Sequence, residues 1–355
     1  MSNFPLRYKL SWLPRLVHPS VRGERGGWLP AAASLAIPAP AATRRLVFIG
    51  DISAVSNRTT PVIDGRLKAL IASADLVVGN CESPIVERVR KPLGTAAGAR
   101  HAMTAAFLSG VLRAAGIERQ RLLLSLANNH MLDQGVDGFA ETREILAAMG
   151  IATIGAIGDG PTRTIDLDGI SLAFAAFTEW RNVDREEFAG RVTMLDDFAR
   201  DDFAALRQAE GDLICVVPHW DWEFRHVPRP ATRELAERLA TAGAGLIAGN
   251  HAHVPQPAER IGETLVAYGL GDFLGTALPH LPWPGRIGTI LAVDVSVEPA
   301  TKGHIAAYEF MPFFRLRDGA RERLLPLDAV PGSIGDRARG RFGELFPPSA
   351  SLVET

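Results

Sequence analysis

Residues 46–82 read LVFIGDISAVSNRTTPVIDGRLKALIASADLVVGNCE. The apolar run 46–49 stops at Gly50-Asp51, and the run 75–79 stops at Asn80-Cys81-Glu82, so both read as buried strands that end on polar residues. Between them IDGRLKALIASA spaces its apolar residues for one face of a helix. A strand, helix, strand unit of this kind predicts a parallel sheet. The pattern recurs outward along the chain. LLLSLA (122–127) leads into Asn128-Asn129-His130, GFAETREILAAMG (138–150) is helical and closes on Gly150, and IATIGA (151–156) follows as a strand. LICVVP (213–218) runs into His219, ELAERLATAG (234–243) is helical, and LIAG (246–249) runs into Asn250-His251-Ala252-His253. Five strand ends therefore carry polar residues, at the sheet edge where open α/β folds bind their ligands. From about residue 260, ETLVAYGLGDF, GTILAVDVSV and HIAAYEFMPFF alternate like antiparallel strands, predicted here to complete a second sheet.

The 355 residues are 47% hydrophobic and 22% charged, which excludes a disordered or fibrous chain. With 38 basic and 40 acidic side chains the net charge is −2, so no overall field draws nucleic acid or anionic lipid. Two cysteines, Cys81 and Cys215, exclude a disulfide scaffold or a cysteine zinc site and leave room for one bridge. No apolar run is long enough to span a membrane. Residues 28–42 (WLPAAASLAIPAPAA) begin too far from Met1 and carry too many prolines for a signal peptide. Residues 1–43 are accordingly expected to form an irregular arm, 44–315 the main domain, and 316–355 an extension ending in a loose tail, PPSASLVET. A cytoplasmic location follows, with export through a non-standard N-terminal segment as the alternative.

His251 and His253, one residue apart on what reads as extended backbone, project to one side and suit a metal. His219 ends another strand, and four of nine histidines stand at strand ends. Asp51 and Glu82 add carboxylates, although each alone reads as a cap or a surface charge, and Asn129 adds an amide oxygen. Mixed oxygen and nitrogen donors favour manganese, iron or zinc, as a pair bridged by one carboxylate.

In these segments, FIGD (48–51), DLVVGNCESPI (75–85), SLANNHMLDQGVDGFAETREIL (125–146), VVPHWDWEF (216–224), AGAGLIAGNHAHVPQP (242–257) and YGLGDF (268–273), the chain resembles the CapA family of capsule and poly-γ-glutamate synthesis proteins, within the calcineurin-like metallophosphoesterases. The resemblance implies an αββα sandwich of two mixed sheets flanked by helices. It implies two divalent ions: Asp51 on the first, Glu82 bridging, Asn129, His219 and His251 on the second, and His253 returning to the first. His130, Asp133 and Glu223 make up the implied catalytic group, with His130 the acid that protonates the leaving group. The implied activity is metal-dependent hydrolysis of an anionic small molecule or polymer, at a phosphoester or a γ-glutamyl amide; the alternative is a non-catalytic component of a polymer-synthesis complex.

Departures from the family pattern accompany the matches. Ser53 stands where metallophosphoesterases generally have the histidine of Asp-x-His, which implies a first ion with fewer nitrogen ligands. Asp221 replaces a glycine and could join the metal shell or repel an anion, and Asp272 closes a motif that usually reads YSLGNF. Arg88, Arg90 and Lys91 read as a solvated face or an anion attractant, and Trp220 and Trp222 as packing or as an aromatic wall.

Overall fold

The computed structural model of the protein describes residues 2–348, apart from 25, 37–38, 55–56, 58, 97–98, 276–280 and 319–320. Its strands fall into two sheets in an order that follows the chain. β1 (Ala32–Ser34), β2 (Thr43–Ile52), β3 (Val62–Ile63), β4 (Leu76–Cys81), β5 (Leu122–Ser125) and β6 (Ala152–Ile154) begin the first. β7 (Arg163–Leu167), β8 (Ile170–Thr178), β9 (Leu213–His219), β10 (Leu246–Ala248), β11 (Pro255–Ile261) and β12 (Thr264–Leu270) make the second. β13 (Asp272–Leu274), β14 (Ile287–Ser296), β15 (Ile305–Asp318) and β16 (Arg321–Pro326) return to the first.

β2, β4, β5 and β6 are parallel neighbours, as are β8, β9, β10 and β12, while β14, β15 and β16 run antiparallel beyond β2. Both sheets are therefore mixed. Their facing sides share one core: Phe48, Val78 and Leu124 of the first sheet pack in one cluster with Phe174, Cys215 and Ala267 of the second. Alternate residues of β8 go opposite ways, Phe174 and Ala176 into that core, Ala175 and Phe177 into a second one under the helix Pro230–Thr241. A strand covered on both faces has no polar side, so such strands read as continuous apolar runs. The architecture is the αββα sandwich that the motifs imply.

The helix within the opening segment is α2 (Gly65–Ala72), whose N-cap Asp64 accepts from the Arg66 amide. The helix Gly135–Ala148 ends with Gly150 at φ 70, a left-handed position that suits glycine.

Three expectations need correction. The late strands do not all complete the second sheet: β13 crosses back to pair with β2, and β14 and β15 then extend the first sheet. Residues 1–43 are not an irregular arm, since they carry a helix, α1 (Leu6–Val17), and β1, which pairs with β15. Tertiary contact builds this helix despite Pro14 near its end: Tyr8, Arg15 and Leu16 are buried against the domain. Nor does the domain stop at residue 315, because β15 runs through that point and the helix Gly332–Leu345 buries Ala338 and Leu345. Of the loose tail, residues 349–355 lie outside the described residues. Cys81 and Cys215 are free and buried, so they form no bridge.

Candidate metal centre

The carboxyl ends of β2, β4, β9 and β10 meet at one point between the sheets. Gly50 lets β2 approach β13 there, for a Cβ on residue 50 would stand 1.7 Å from the Gly271 carbonyl oxygen. Asp51, Glu82, Asn129, His219 and His251 converge in the buried interior, and His253 closes the group from its edge.

The His251 and His253 rings do not reach the site by strand alternation. β10 ends at Ala248, and the following turn holds His251 at φ 86 and His253 at φ 56, left-handed values that non-glycine residues seldom adopt. Strain of this kind is maintained by the surrounding structure and collects at functional sites. The turn is anchored by the His251 amide, which donates to Asp51 Oδ2 at 3.2 Å.

One half of the cluster is rich in nitrogen. His219 Nε2 lies 2.8 Å from Asn129 Oδ1, 3.0 Å from His251 Nδ1 and 3.6 Å from Glu82 Oε1. The other half is rich in oxygen: Asp51, Glu82, His253 and Asp272 each present a donor atom, all within 4.8 Å of one another. Glu82 stands in both halves, and its Oε1 is buried without a hydrogen-bond partner. Ser53, in the place of a histidine, donates its hydroxyl to Glu82 Oε2.

Three buried carboxylates, Asp51, Glu82 and Asp272, thus face one buried guanidinium, Arg315, which holds Asp272 Oδ2 at 2.8 Å. Burial drives the Asp51 carboxyl well above its ordinary range, and Glu82 beside it adds to the rise. Burial also raises Glu82, against the pull of His253 and His130. Burial keeps His219 and His251 well below the usual imidazole value, so both rings are neutral and have lone pairs to offer. The same burial opposes charge on His253, but Asp272 and Glu82 overcome it and hold that ring well above its usual value. Neutral imidazoles, an amide oxygen and carboxylates are the donor set of a divalent cation, and the orphaned Glu82 oxygen is the atom such a cation would satisfy.

Beside the cluster, His130 Nδ1 lies 2.6 Å from Asp133 Oδ2. Burial works against the His130 imidazolium, yet Asp133 outweighs it and raises the pKa. Asp133 also accepts from the His101 amide at 2.7 Å, and the His101 ring stacks parallel to that of His130 with centroids 3.5 Å apart. Asn182 Nδ2 is 3.2 Å from His130 Nδ1 and 3.3 Å from Asp133 Oδ1. The pair is fixed from several sides, with the His130 ring turned toward the cavity.

That cavity, about 580 Å³, has Glu82, Asn129, His253 and Asp272 in its floor. Glu223 lines it too, with Oε2 accepting from Trp12 Nε1. Asp221 does not join the cluster: its carboxylate is bonded to Arg229 and, at 2.8 Å, to Gln256, a buried pairing that keeps it away. Arg90 pairs with Glu141 on the surface, Trp220 is core, and Trp222 lies under Tyr8.

The sequence reading missed Asn80, Asp272, His101 and Asn182. Asn80 binds Asp51 Oδ1 at 2.7 Å and lies 3.2 Å from His219 Nδ1; its signal was its place at a strand end. Asp272 was visible as a charge replacing an amide, whereas His101 and Asn182 lie in loops with no periodic mark.

Residues 45–277 match the family model described as bacterial capsule synthesis protein PGA_cap. The chain is 26% identical over 244 residues to the PGA biosynthesis protein CapA of Bacillus subtilis (strain 168), covering 64% of this chain and 62% of that one. It is 25% identical over 249 residues to the capsule biosynthesis protein CapA of Bacillus anthracis, covering 64% and 59%. The chain thus spans about six-tenths of the length of these curated relatives. Among solved structures it is similar to a 5′-nucleotidase from Candida albicans SC5314, with TM-score 0.44, 11% identity, and 85% and 56% of the two chains covered.

Proposed function

The chain belongs to the bacterial capsule synthesis protein (PGA_cap) family, and from that premise and the composition of the buried cluster we propose that it is a metal-dependent hydrolase of an anionic substrate. The observation that carries the reading is at Glu82: three buried carboxylates, Asp51, Glu82 and Asp272, share two cations, Arg315 and the His253 ring, and Glu82 Oε1 has no hydrogen-bond partner. A buried charge without compensation costs several kcal/mol, and two divalent cations, manganese, iron or zinc, would supply that compensation.

In this reading Asp51 and His253 would hold the first ion, with Asp272 orienting the His253 ring from behind, Asn129, His219 and His251 would hold the second, and Glu82 would serve both. When bound, such a pair lowers the pKa of a water between the ions and offsets charge in an in-line displacement. This chain's residues do the rest. His130 holds a proton toward the cavity and delivers it to the departing oxygen or nitrogen, while Asp133 keeps the ring oriented and favours its charged form. Glu223 anchors the wall facing the cluster through Trp12. The bond broken is a phosphoester or a γ-glutamyl amide; the capsule and PGA biosynthesis proteins among its relatives support an anionic polymer or a small anion related to one.

Among the described residues no helix is long and apolar enough to cross a membrane.

The test pairs elemental analysis of the purified protein with turnover of aryl phosphomonoesters, phosphodiesters and γ-glutamyl anilides in manganese. Two ions per chain with turnover of one class supports the reading and selects the bond. Two ions with none, and full function of a His130→Ala chain in the cell, would overturn it in favour of an assembly role.

A further inference from the structure

The matched family segment starts at residue 45, yet one side of the cavity is built by residues that precede it. Phe4, Tyr8 and Trp12 line it beside the cluster, and the Tyr8 hydroxyl reaches to 3.5 Å from His251 Nε2. These rings are braced from behind. Phe4 stacks on Tyr8 at 4.6 Å and on Trp180 at 5.1 Å between centroids, and the Arg15 guanidinium lies over both Tyr8 at 4.7 Å and Trp222 at 4.9 Å. Arg15 also donates to the Glu223 carbonyl at 2.8 Å, which ties α1 to the loop after β9. The wall is aromatic and rigid, and apart from the exposed Lys9 it brings no charge to the cavity.

We propose that α1 is the specificity wall of this site, and that the substrate is a small anionic ester carrying a flat apolar group, which lies against Phe4 and Trp12 while the anionic head meets the cluster. The proposal rests on the metal-site reading and narrows its substrate. A cavity of about 580 Å³ fits a molecule of that size. A flexible polyglutamate would have to set successive carboxylates against aromatic rings, with the exposed Lys9 the one cation the wall offers them among the described residues. A planar ring instead gains stacking and apolar contact there, and a preformed wall spares it the cost of ordering loops.

Calorimetric titration of the full chain in manganese with phenylphosphonate and with methylphosphonate, neither of which can be hydrolysed as an ester, tests the wall by binding alone. The wild type is expected to prefer the phenyl compound by about tenfold or more. Trp12→Ala and Phe4→Ala each shrink that ratio, Trp12→Phe keeps most of it, and circular dichroism melting establishes that each variant is folded. Equal affinity of the wild type for the two compounds overturns the wall, and so does a preference that survives both alanine variants. Failure of both compounds to bind while manganese does bind counts against the hydrolase reading itself, a result distinct from equal affinity.

Discussion

Asp272 Oδ1 lies 2.6 Å from His253 Nδ1, so the carboxylate takes that ring's proton-bearing nitrogen and turns Nε2 toward Glu82 Oε1, 3.9 Å away. Carboxylates in this position fix the tautomer and orientation of a metal-binding histidine. Asp272→Ala is therefore expected to weaken manganese binding about 10- to 100-fold. Competition against a metallochromic chelator measures it, and an unchanged affinity would remove Asp272 from the site.

Arg315 is fully buried and bonded to the other oxygen of Asp272. Arg315→Met removes one of the two cations that balance that buried carboxylate and leaves only His253, and breaking a buried pair costs up to about 3–5 kcal/mol in folded proteins. Urea denaturation of the metal-free protein is expected to show a loss of this size. A variant as stable as the wild type would mean that His253 alone balances Asp272.

If His130 delivers a proton to the leaving group, its absence matters most where that group is a poor one. His130→Ala should lower turnover of alkyl phosphoesters by about 10²- to 10⁴-fold and that of 4-nitrophenyl esters far less. Equal losses across a series of leaving groups would assign His130 to orientation rather than to acid catalysis.

His226 is buried, with Nδ1 2.9 Å from the Pro255 carbonyl and no partner for Nε2. Burial lowers its pKa from 6.5 to about 3. Below pH 6.5 the unfolded chain takes up a proton that the folded chain refuses, so stability present above that pH is lost as pH falls toward 3, at about 1.4 kcal/mol per pH unit. His226→Leu removes this loss. The stability difference between variant and wild type should grow steadily from pH 6 to pH 4, and parallel curves would exclude the assignment.

Most of what positions the cluster was legible because it obeys local rules. Apolar runs ending in Asp51, Glu82, His219 and the 250–253 segment mark β2, β4, β9 and β10, and shared topology brings their ends together. What escaped depends on contacts distant in sequence. α1 carries Pro14 and buries Tyr8, Arg15 and Leu16 rather than its periodic Leu6, Leu10 and Leu13, so its packing face is set by the surface beneath it, and β14 reads the same whichever sheet receives it. The approach of His251 and His253 was foreseen for the wrong reason, since left-handed backbone leaves no hydrophobic periodicity to read.

The pairing of β13 with β2, in register at Asp272 and Asp51, has a consequence for biosynthesis. A ribosome releases Asp51, Glu82, Asn129 and His219 in turn, but Asp272 and its counter-ion Arg315 emerge only after the entire second sheet. Until then β2 lacks both of its late neighbours, β13 and β14. Closing such long-range pairs is slow, and unpaired strand edges invite association between chains. The growing polypeptide therefore carries an open edge and an unfinished site for most of its synthesis, and both are completed together by the same late segment.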